Sequence, residues 1–310
     1  MVADVSVIIP FYNRERYVGE AIQSVLAQTL QPLEIIIVND GSNESARRHL
    51  EQYSGRCVIV DLPSRVGAAA ARNEGIKSAR GRYTAFLDDD DLWLPEKLAL
   101  QRRFMDEYPD CALVHSAAWS FASDRPDFLC ACDWPMPLTL ARALTHDHWV
   151  ILPTVLVRTE VIRTLGGFDS RFVGSEDHDF TIRCCAAGYH IDGIREPLIR
   201  FRREGHQSIT RGRWRMFRKH VLLCWKHREL YIRAYGIRGI VSFLLATLHI
   251  AAFRTRYVDG AVRFLMRIFS VRYETKPGYR DPVRSTASDV GYEEEAVGLA
   301  AAHNARKSQA

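Results

Sequence analysis

The sequence predicts an α/β fold with a mostly parallel sheet flanked by helices. In the first third of the chain, short apolar runs alternate with segments of helical periodicity. The apolar runs are continuous, which is typical of parallel strands that helices cover on both faces. With 310 residues, of which 47% are hydrophobic, the chain is long enough to bury a large core.

The first two strand and helix pairs begin at the N-terminus. A β-branched run from Val5 to Ile9, closed by Pro10, predicts the first strand. Apolar residues at helical spacing predict a helix from Arg16 to Ala27. The run from Leu33 to Val38 predicts a fully buried second strand. The stretch NDGSNESARRHLEQY then contains turn and capping residues, so we expect a turn followed by a polar helix.

The alternation continues along the chain, although the pattern weakens beyond residue 110. Further strands are predicted at Cys57 to Leu62, Tyr83 to Leu87, Cys111 to Ser116 and Val150 to Val157. Further helices are predicted at Ala69 to Ala79, Leu94 to Met105, Glu160 to Leu165 and Asp179 to Ala187.

The C-terminal part of the chain differs in charge and pattern. Arg211 to Arg272 is helical in tendency and has about 14 Lys and Arg against no more than three Asp and Glu. Its apolar run from Ile240 to Phe253 is shorter than the roughly 20 residues that span a bilayer. We expect either an interfacial element on an anionic membrane or helices packed on the preceding domain. Residues 273–310 are polar without periodicity and are expected to be disordered.

Composition narrows the function class and the compartment. The net charge of +5 is too small to indicate nucleic-acid binding, and no motif with interleaved aromatic residues supports it. The seven cysteines lack C-x-x-C spacing, which favours reduced thiols in a cytoplasmic protein, and Cys130 and Cys132 alone make a poor zinc site. The opening MVADVSVIIPFYN lacks the pattern of a secretory signal.

Polar residues follow three of the predicted strands. Pro10 to Arg14, Asn39 to Ser42 and Asp88 to Asp91 each come directly after an apolar run. The carboxyl ends of parallel strands meet at one edge of a sheet, where ligands of open α/β sheets bind. We therefore expect the three segments to lie close together.

Asp88 to Asp91, the acid run, places four carboxylates in a row. Such groups repel one another, and a hard divalent cation relieves the repulsion. Oxygen ligands suit Mg²⁺ or Mn²⁺. In an extended chain Asp88 and Asp90 point to the same side. A solvated acidic turn that caps the following helix is the alternative.

Five segments together resemble the family 2 glycosyltransferases with the GT-A fold. In chain order they are VSVIIPFYNRERYVGEAIQSVLAQT, LEIIIVNDGSNE, GAAAARNEGIKSARGRYTAFLDDDDLWLPEKL, GGFDSRF and SEDHDFTIRCCAAGY. The resemblance covers roughly residues 4 to 210. It implies a Rossmann-like sheet whose nucleotide-sugar-binding half is residues 1–115 and whose acceptor-binding half is residues 116–210, followed by a basic helical extension at 211–272.

The resemblance implies nucleotide-binding roles at the strand ends. It places Pro10, Tyr12 and Arg14 near the base. It also places Asp40 on the hydrogen-bonding edge of the base and Arg72 facing the nucleotide. The alternatives are a turn at Asn39 to Ser42 in which Asp40 or Ser42 caps the next helix, and a helix-surface charge at Arg72.

The D-x-D motif of the family falls on Asp88 to Asp90. The resemblance implies that Asp90 is a direct ligand of the divalent cation, Mn²⁺ or Mg²⁺, and that Asp88 contacts the ribose or the metal. The extra Asp89 leaves the register open, with Asp91 as a further candidate ligand.

In the family, the catalytic base is an aspartate of an E-D pair before a helix, which corresponds here to Glu176 and Asp177. The resemblance implies that Asp177 deprotonates the acceptor hydroxyl and that Glu176 orients the acceptor. An acidic helix N-terminus is the alternative. We expect the neighbouring His178 to be structural.

The segment FRREGHQSIT resembles the family segment that closes over the diphosphate. His206 and Ser208 are candidates for this loop, with Arg202 or Arg203 balancing phosphate charge. An exposed basic loop is the ordinary alternative.

The resemblance implies an inverting, metal-dependent glycosyltransferase that moves a sugar from a nucleotide-diphosphate donor, with a UDP-sugar favoured. The acceptor would be a saccharide or a lipid-linked saccharide in cell-surface glycan synthesis. We expect a cytoplasmic protein, peripheral on the inner face of the membrane. A nucleotidyltransferase and a non-catalytic nucleotide-sugar-binding module are the alternatives. PFYNRERYVG lacks the glycine-rich basic loop of the former, whereas Asp90 and Asp177 retain the acids that the latter would have lost.

Overall fold

The computed structural model describes residues 4–122, 125–132, 137–144, 150–202 and 213–252. Within these residues, one nine-stranded sheet has helices packed on both faces. The strands are β1 (Val5–Phe11), β2 (Glu34–Asn39), β3 (Val58–Asp61), β4 (Tyr83–Phe86), β5 (Leu92–Trp93), β6 (Cys111–Ala122), β7 (Arg125–Cys132), β8 (Leu156–Arg158) and β9 (His190–Arg202). The helices are α1 (Glu15–Leu26), α2 (Glu44–Glu51), α3 (Ala68–Ser78), α4 (Lys97–Glu107), α5 (Leu140–Ala143), α6 (Thr159–Thr164), α7 (Glu176–Ala186), α8 (Arg213–Lys226) and α9 (Arg228–Ala252).

The sheet is parallel where the sequence shows repeated strand and helix pairs, and it is mixed elsewhere. In the order β3-β2-β1-β4-β8-β6-β9-β5, the strands from β3 to β4 are parallel. Strand β8 is antiparallel to β4 and β6, whereas β6 and β9 pair in parallel. The predicted α/β class is confirmed, and the carboxyl ends of β2, β1 and β4 lie side by side.

Two apolar clusters cover the two faces of the sheet. Alternate residues of β1 enter different clusters, with Ile8 on one face and Val7 and Ile9 on the other. Helices α1, α2 and α4 pack on the face of Val7, whereas α3, α6, α7 and the C-terminal helices pack on the face of Ile8. The sheet is therefore buried on both sides, as its continuous apolar strands predict.

Strand β1 continues beyond its predicted end at Ile9, through Pro10 to Phe11. The Phe11 carbonyl accepts the Asp40 N–H at 2.8 Å on the β2 side, so the Pro10 backbone faces β4. Pro10 has no N–H to extend that ladder, and pairing with β4 stops at Phe86. Pro10 therefore ends the hydrogen-bond ladder between β1 and β4, while the ladder between β1 and β2 continues to Phe11. Because this pairing stops, the chain after β4 can turn into the acid run.

The predicted strand at Val150 to Val157 is wrong over most of its length. A single 3₁₀ turn occupies Leu152–Thr154, and β8 begins only at Leu156. Pro153 favours the turn because its ring fixes φ and it has no N–H for a ladder. Its carbonyl accepts the indole N–H of Trp93 at 3.1 Å, which ties the turn to β5.

The sequence pattern did not predict β5, β7, β9, α5 or the second half of β6. Strand β9 is the longest of these, with 13 residues that include Gly193 and Pro197. Its register against β6 shifts at several points, including Ser116/Ala117. A strand interrupted in this way has no period of two, and its pairing with a distant strand stabilises it.

Helices α8 and α9 pack on the sheet domain through one side. Leu223, Cys224 and Tyr231 are buried in the same cluster as Phe180 of α7. A non-helical residue, Gly236, with φ of 64°, breaks α9. Within the described ranges, no helix is long and apolar enough to span a bilayer.

A buried ion cluster joins these helices to α7. Asp179 is fully buried and contacts Arg183 Nε at 2.8 Å, Lys226 Nζ at 2.6 Å and His227 Nε2 at 2.9 Å. Burial opposes ionisation, but the hydrogen bonds from His227 and Lys226 and the charge of Arg183 lower the pKa of Asp179 to about 2. The cluster therefore favours the charged carboxylate and stabilises the contact between α7 and α8.

Asp179→Asn is expected to lower the free energy of unfolding at pH 7 by about 2 to 4 kcal/mol, because it leaves buried cations without their carboxylate. The folded-state pKa is depressed, so this stabilisation is present above the unfolded pKa of about 4 and is lost as the pH falls towards 2. Urea unfolding followed by circular dichroism, at several pH values, measures the difference.

Glu44→Gln is the matched control, since Glu44 is exposed and pairs only with Arg47 and Arg48 on its own helix among the described contacts. Little change is expected from it. An equal effect of the two substitutions at pH 7 would contradict a special role for the buried cluster.

Candidate active site

The loops after β1 and β4 meet at the carboxyl edge of the sheet. Arg14 Nη1 contacts Asp89 Oδ1 at 2.9 Å and Asp90 Oδ2 at 2.6 Å. The Tyr12 N–H donates to Asp89 Oδ2 at 3.4 Å. The predicted proximity of these two strand ends is confirmed.

The loop after β2 joins the same edge. Asn13 donates its N–H to Ser42 Oγ at 3.2 Å, and its side-chain oxygen accepts the Asn43 N–H at 2.9 Å. Asn13 has a positive φ of 49°, a conformation that asparagine tolerates better than most residues. The three segments predicted to converge therefore do so.

Asp40 organises the loop that leads into α3. Its carboxylate accepts the N–H groups of Val66 at 2.6 Å and Gly67 at 2.9 Å. Gly41 has a φ of 66°, and a Cβ at this position would lie 2.5 Å from the Arg65 nitrogen. The close approach of the two loops requires glycine here. Asp40 does not cap the next helix, α2, because the N-cap of α2 is Asn43. The buried Asp40 carboxylate instead binds the backbone just before α3.

The other residues predicted near the base lie around this edge in different environments. Pro10 is buried within β1. Tyr12 is half-buried, and the guanidinium of Arg65 lies 4.1 Å from the centroid of its ring. Arg65 was not predicted from the sequence, because an isolated arginine in a loop has no distinguishing pattern.

Burial alternates along the acid run. The side chains of Asp88 and Asp90 are 30% and 24% exposed to solvent, whereas the side chain of Asp89 is 8% exposed and Asp91 is 1% exposed. Asp89 binds the β1 loop, and Asp91 Oδ1 accepts the Arg202 N–H at 2.8 Å. One pair of carboxylates thus contacts the protein interior, and the other pair remains accessible.

The acid run contains more negative charge than its neighbours compensate. Burial raises the pKa of Asp89 to about 7, despite the opposing charge of Arg14. Burial and the neighbouring carboxylates also raise the pKa values of Asp90 and Asp91. A ligand that brings positive charge would favour ionisation of all three.

Arg202 contacts the acid run from the end of β9. Its Nε donates to the Asp90 carbonyl at 2.7 Å, and its Nη2 contacts Glu20 Oε2 at 2.6 Å. The sequence indicated Arg202 as a candidate to balance the charge of a phosphate. It did not indicate the contact of Arg202 with Glu20, because strand β9 was not predicted. Arg203, His206 and Ser208 lie outside the described residues.

Arg72 connects the acid run to α7. Its guanidinium contacts Asp88 Oδ1 at 2.5 Å and Glu176 Oε1 at 2.9 Å, and its side chain is only 5% exposed. Arg72 is therefore not a helix-surface charge. It bridges two carboxylates that are 88 residues apart in the sequence.

Glu176 and Asp177 begin α7 at the same edge. Glu176 Oε2 accepts the N–H groups of Gly174 and Ser175 just before the helix, and the Ser175 N–H also donates to the Phe172 carbonyl at 2.7 Å. Asp177 is half-buried, and its Oδ1 accepts the His178 N–H at 2.8 Å. Burial and the charge of Glu176 raise the pKa of Asp177 to about 7. The expectation that His178 is structural agrees with its burial and its contact with the Ala143 carbonyl at 2.7 Å.

The acid run fits a divalent cation in its charge and its oxygen donors. Asp91 Oδ2 is buried without a hydrogen-bond partner in the part of the chain that the structure describes. No group of three or more His, Cys, Asp or Glu side chains is arranged to hold a metal among those residues. Magnesium commonly takes only one or two protein carboxylates together with substrate phosphates. The accessible Asp88 and Asp90 are the residues that could supply them.

Comparisons with known proteins agree with this geometry. Residues 6–143 match the family described as "Glycosyl transferase family 2". The chain is 43% identical over 218 residues to the putative teichuronic acid biosynthesis glycosyltransferase TuaG of Bacillus subtilis, covering 69% of this chain and 84% of TuaG.

Two solved structures share the fold at low sequence identity. S. aureus TarS 1-349 in complex with UDP-GlcNAc is 19% identical, with a TM-score of 0.61 over 82% of this chain and 74% of that chain. The mannosyltransferase PcManGT from Pyrobaculum calidifontis, in complex with GDP-Man and Mn²⁺, is 18% identical, with a TM-score of 0.54 over 88% of this chain and 82% of that chain. The similarity to TuaG, the family match and the shared fold together lead to one conclusion: the chain belongs to the family 2 glycosyltransferases and has the GT-A fold.

Proposed function

We propose that this glycosyltransferase moves a sugar, with inversion, from a nucleotide-diphosphate donor to a hydroxyl of a saccharide or lipid-linked saccharide acceptor. The observation that carries the proposal is the Arg72 bridge. It holds the accessible acid Asp88 close to Glu176, which adjoins the half-buried Asp177. The residues proposed to bind the donor and the residue proposed as the catalytic base thus lie at the same edge of the sheet.

The donor side is assigned to the loops after β1, β2 and β4. Tyr12 offers an aromatic face for the base, and Pro10 shapes the end of β1 beneath it. Arg14 lies beside the accessible acids and can turn towards a diphosphate. Asp40 holds the neighbouring loop and lies at the edge where the base would bind. A UDP-sugar is the favoured donor, since TarS was solved with UDP-GlcNAc.

Asp90 and Asp88 are assigned to a divalent cation, with Asp88 also available to the ribose. Their exposure distinguishes them from the buried Asp89 and Asp91. Mn²⁺ accompanies GDP-Man in PcManGT, which supports Mn²⁺ or Mg²⁺. When bound, such a cation neutralises the charge that develops on the leaving diphosphate. Arg14 and Arg72 provide further positive charge at the same carboxylates.

Asp177 is assigned as the general base. A carboxylate with a pKa of about 7 is a stronger base than an ordinary aspartate, and it is still largely ionised above neutral pH. It accepts the acceptor proton as the acceptor oxygen bonds to the anomeric carbon and the bond to the diphosphate breaks. Glu176, fixed by Arg72 and two backbone N–H groups, orients the acceptor.

The setting of the reaction is also part of the proposal. Residues 1–115 supply the donor half and residues 116–210 the acceptor half, with the helical extension of 211–272 attached to them. The reaction belongs to cell-surface glycan or lipid-linked saccharide synthesis, as the name of TuaG suggests for that relative. We place the protein in the cytoplasm, at the inner face of the membrane.

A donor panel tests the proposed activity. Purified protein is incubated with UDP-, GDP- and dTDP-sugars and Mn²⁺, and the released nucleoside diphosphate is measured. At least one donor is expected to bind and to be hydrolysed slowly in the absence of acceptor. If no donor binds or turns over, the proposed function is wrong.

Asp90→Asn is expected to weaken metal-dependent donor binding by about tenfold or more, since it removes one charged oxygen ligand. Isothermal titration of the donor, with Mn²⁺ and with EDTA, measures this loss separately from catalysis. Asp106→Asn, at an exposed position on α4, is the control and should bind donor normally. Equal metal dependence in wild type and Asp90→Asn would exclude Asp90 as a ligand.

Asp177→Asn is expected to retain donor binding and to lower the transfer rate by about a hundredfold or more. Because the unprotonated carboxylate is the base, wild-type transfer at saturating donor should rise with pH through about 7 and level off above it. The pH profile is compared with donor affinity at each pH, because Asp89 also has a pKa of about 7.

Asp177→Asn is expected to lower the transfer rate but to increase the stability of the fold at high pH. The folded-state pKa of Asp177 is raised, so its contribution to stability decreases as the pH rises from about 4 to about 7. Asp177→Asn should therefore raise the melting temperature at pH 8. An unchanged rate, or a lower melting temperature together with lost donor binding, would contradict the assignment.

A further inference from the structure

The C-terminal helices expose large apolar side chains on the side that faces away from the domain. On α8, His220, Leu223 and Cys224 are buried, and His227, just past the end of the helix, continues the same spacing of one helical face. The exposed apolar residues are Val221, Leu222 and Trp225 on α8 and Ile232 and Ile237 on α9, where Ile237 follows the non-helical Gly236. We call these five residues the helical apolar face.

The helical apolar face is a concentration of exposed apolar groups. Its five residues are half of the ten large apolar side chains that are exposed within the described residues. Trp225 and Ile237 are 68% and 67% exposed. Single exposed apolar residues are ordinary, but a set gathered on adjoining helices indicates an interaction surface.

Basic side chains accompany this face. Arg218, Arg228 and Arg233 are exposed on the same two helices. Between residues 213 and 252 the sequence contains eight Lys and Arg and a single acid, Glu229. The guanidinium of Arg228 lies 5.0 Å from the centroid of the Trp225 ring. A tryptophan beside a cation suits the headgroup region of a bilayer, where the ring and the charge each find a partner.

The positive charge also distinguishes between possible occupants. A second copy of the chain would bring the same cations together across a two-fold interface, where they repel. An anionic bilayer offers both negative headgroups and an apolar layer. The positive charge and the apolar groups are therefore complementary to an anionic membrane surface, and not to the helical apolar face of a second copy of the chain.

Helix α8 is attached on both sides of the start of α7. Lys219 Nζ donates to the Val173 carbonyl, three residues before Glu176 in the sequence. Lys226 and His227 bind Asp179, two residues after Asp177. The helices that carry the apolar face are thus fixed to the segment that carries the acceptor-side acids.

We propose that the helical apolar face docks on an anionic bilayer and holds the acceptor side of the site beside the membrane. The docking is inferred only from the exposed apolar and basic side chains of α8 and α9. The orientation of the acceptor side rests on the proposed function, and it brings a lipid-linked or membrane-bound acceptor to Asp177.

Vesicle co-sedimentation of the full chain tests the docking. The vesicles are phosphatidylcholine alone and phosphatidylcholine mixed with phosphatidylglycerol. The wild type is expected to bind the anionic vesicles, more weakly at high salt, and to bind the neutral vesicles poorly. The double variant Leu222→Ser/Trp225→Ser should lose about tenfold or more in partitioning. Arg218→Glu/Arg233→Glu should lose at least a comparable amount, since each reversal removes a cation and adds an anion.

Matched controls come from α4, which packs on the opposite face of the sheet. Tyr108, just after α4, and Arg103, within it, are both exposed. Tyr108→Ser and Arg103→Glu should bind vesicles as the wild type does. Circular dichroism and melting temperature verify that all variants fold, and the charge-reversal pair provides the test if the apolar pair does not fold.

Three outcomes would overturn the docking proposal. The wild type fails to bind anionic vesicles, or both double variants bind them as well as the wild type does. In the third outcome, sedimentation velocity shows a dimer that Leu222→Ser/Trp225→Ser converts to monomer, without any vesicle binding. Donor hydrolysis without vesicles is measured in parallel, and it should be unchanged in the variants. Vesicle binding that follows the prediction while no donor turns over would reject the proposed function and leave the docking intact.

Discussion

The site depends on one electrostatic constraint: the carboxylates at the carboxyl edge of the sheet carry more negative charge than the neighbouring arginines neutralise. The acid run follows a buried strand, and arginines from three distant parts of the chain contact it: Arg14, Arg72 and Arg202. Their charge does not outweigh burial and the repulsion between the carboxylates, so the pKa values of Asp89, Asp90 and Asp91 are raised. A site with remaining negative charge and accessible carboxylates favours a cationic ligand, and a nucleotide diphosphate can bring one.

Arg72 holds the two halves of the site together. Its planar guanidinium reaches Asp88 and Glu176 at the same time, which the single ammonium of lysine could not do with the same fixed geometry. The bridge is buried, where opposite charges attract more strongly than they do in water. Any ligand that draws Asp88 towards a metal therefore changes the charge balance at Glu176 and, next to it, at Asp177. This link gives donor binding a physical route to influence Asp177, the proposed general base.

Helix α7 connects the chemistry to the C-terminal helices. Its first turn contributes Glu176 and Asp177, and the buried Asp179 that follows binds Lys226 and His227. The same short helix thus presents acids with opposite electrostatic environments. The pKa of Asp177 is raised because burial and Glu176 act together, whereas that of Asp179 is lowered, despite its burial, by hydrogen bonds from His227 and Lys226 and by the charge of Arg183.

Much of the structure of residues 1–115 could be predicted from the sequence, because its strands and helices are encoded locally. Continuous apolar runs specify buried parallel strands, and the turn residues after them identify the edge where ligands bind. The resemblance of the segments around Asp88 to Asp90 and around Glu176 to Asp177 pointed to the family that the comparisons confirm. Strand β9 and the turn at Pro153 were not predictable in this way, since their structure comes from pairing and packing with distant residues.

The sequence by itself determined that four carboxylates follow β4 and that an E-D pair begins a helix. Only the tertiary structure decided which of them are buried, which meet an arginine and which remain accessible. The physical reason is that desolvation and charge pairing depend on groups far apart in the chain, such as Arg14 with Asp90 or Arg72 with Glu176. No local pattern contains those distances, so only the fold decides that Asp88 and Asp90 stay accessible while Asp89 and Asp91 are buried.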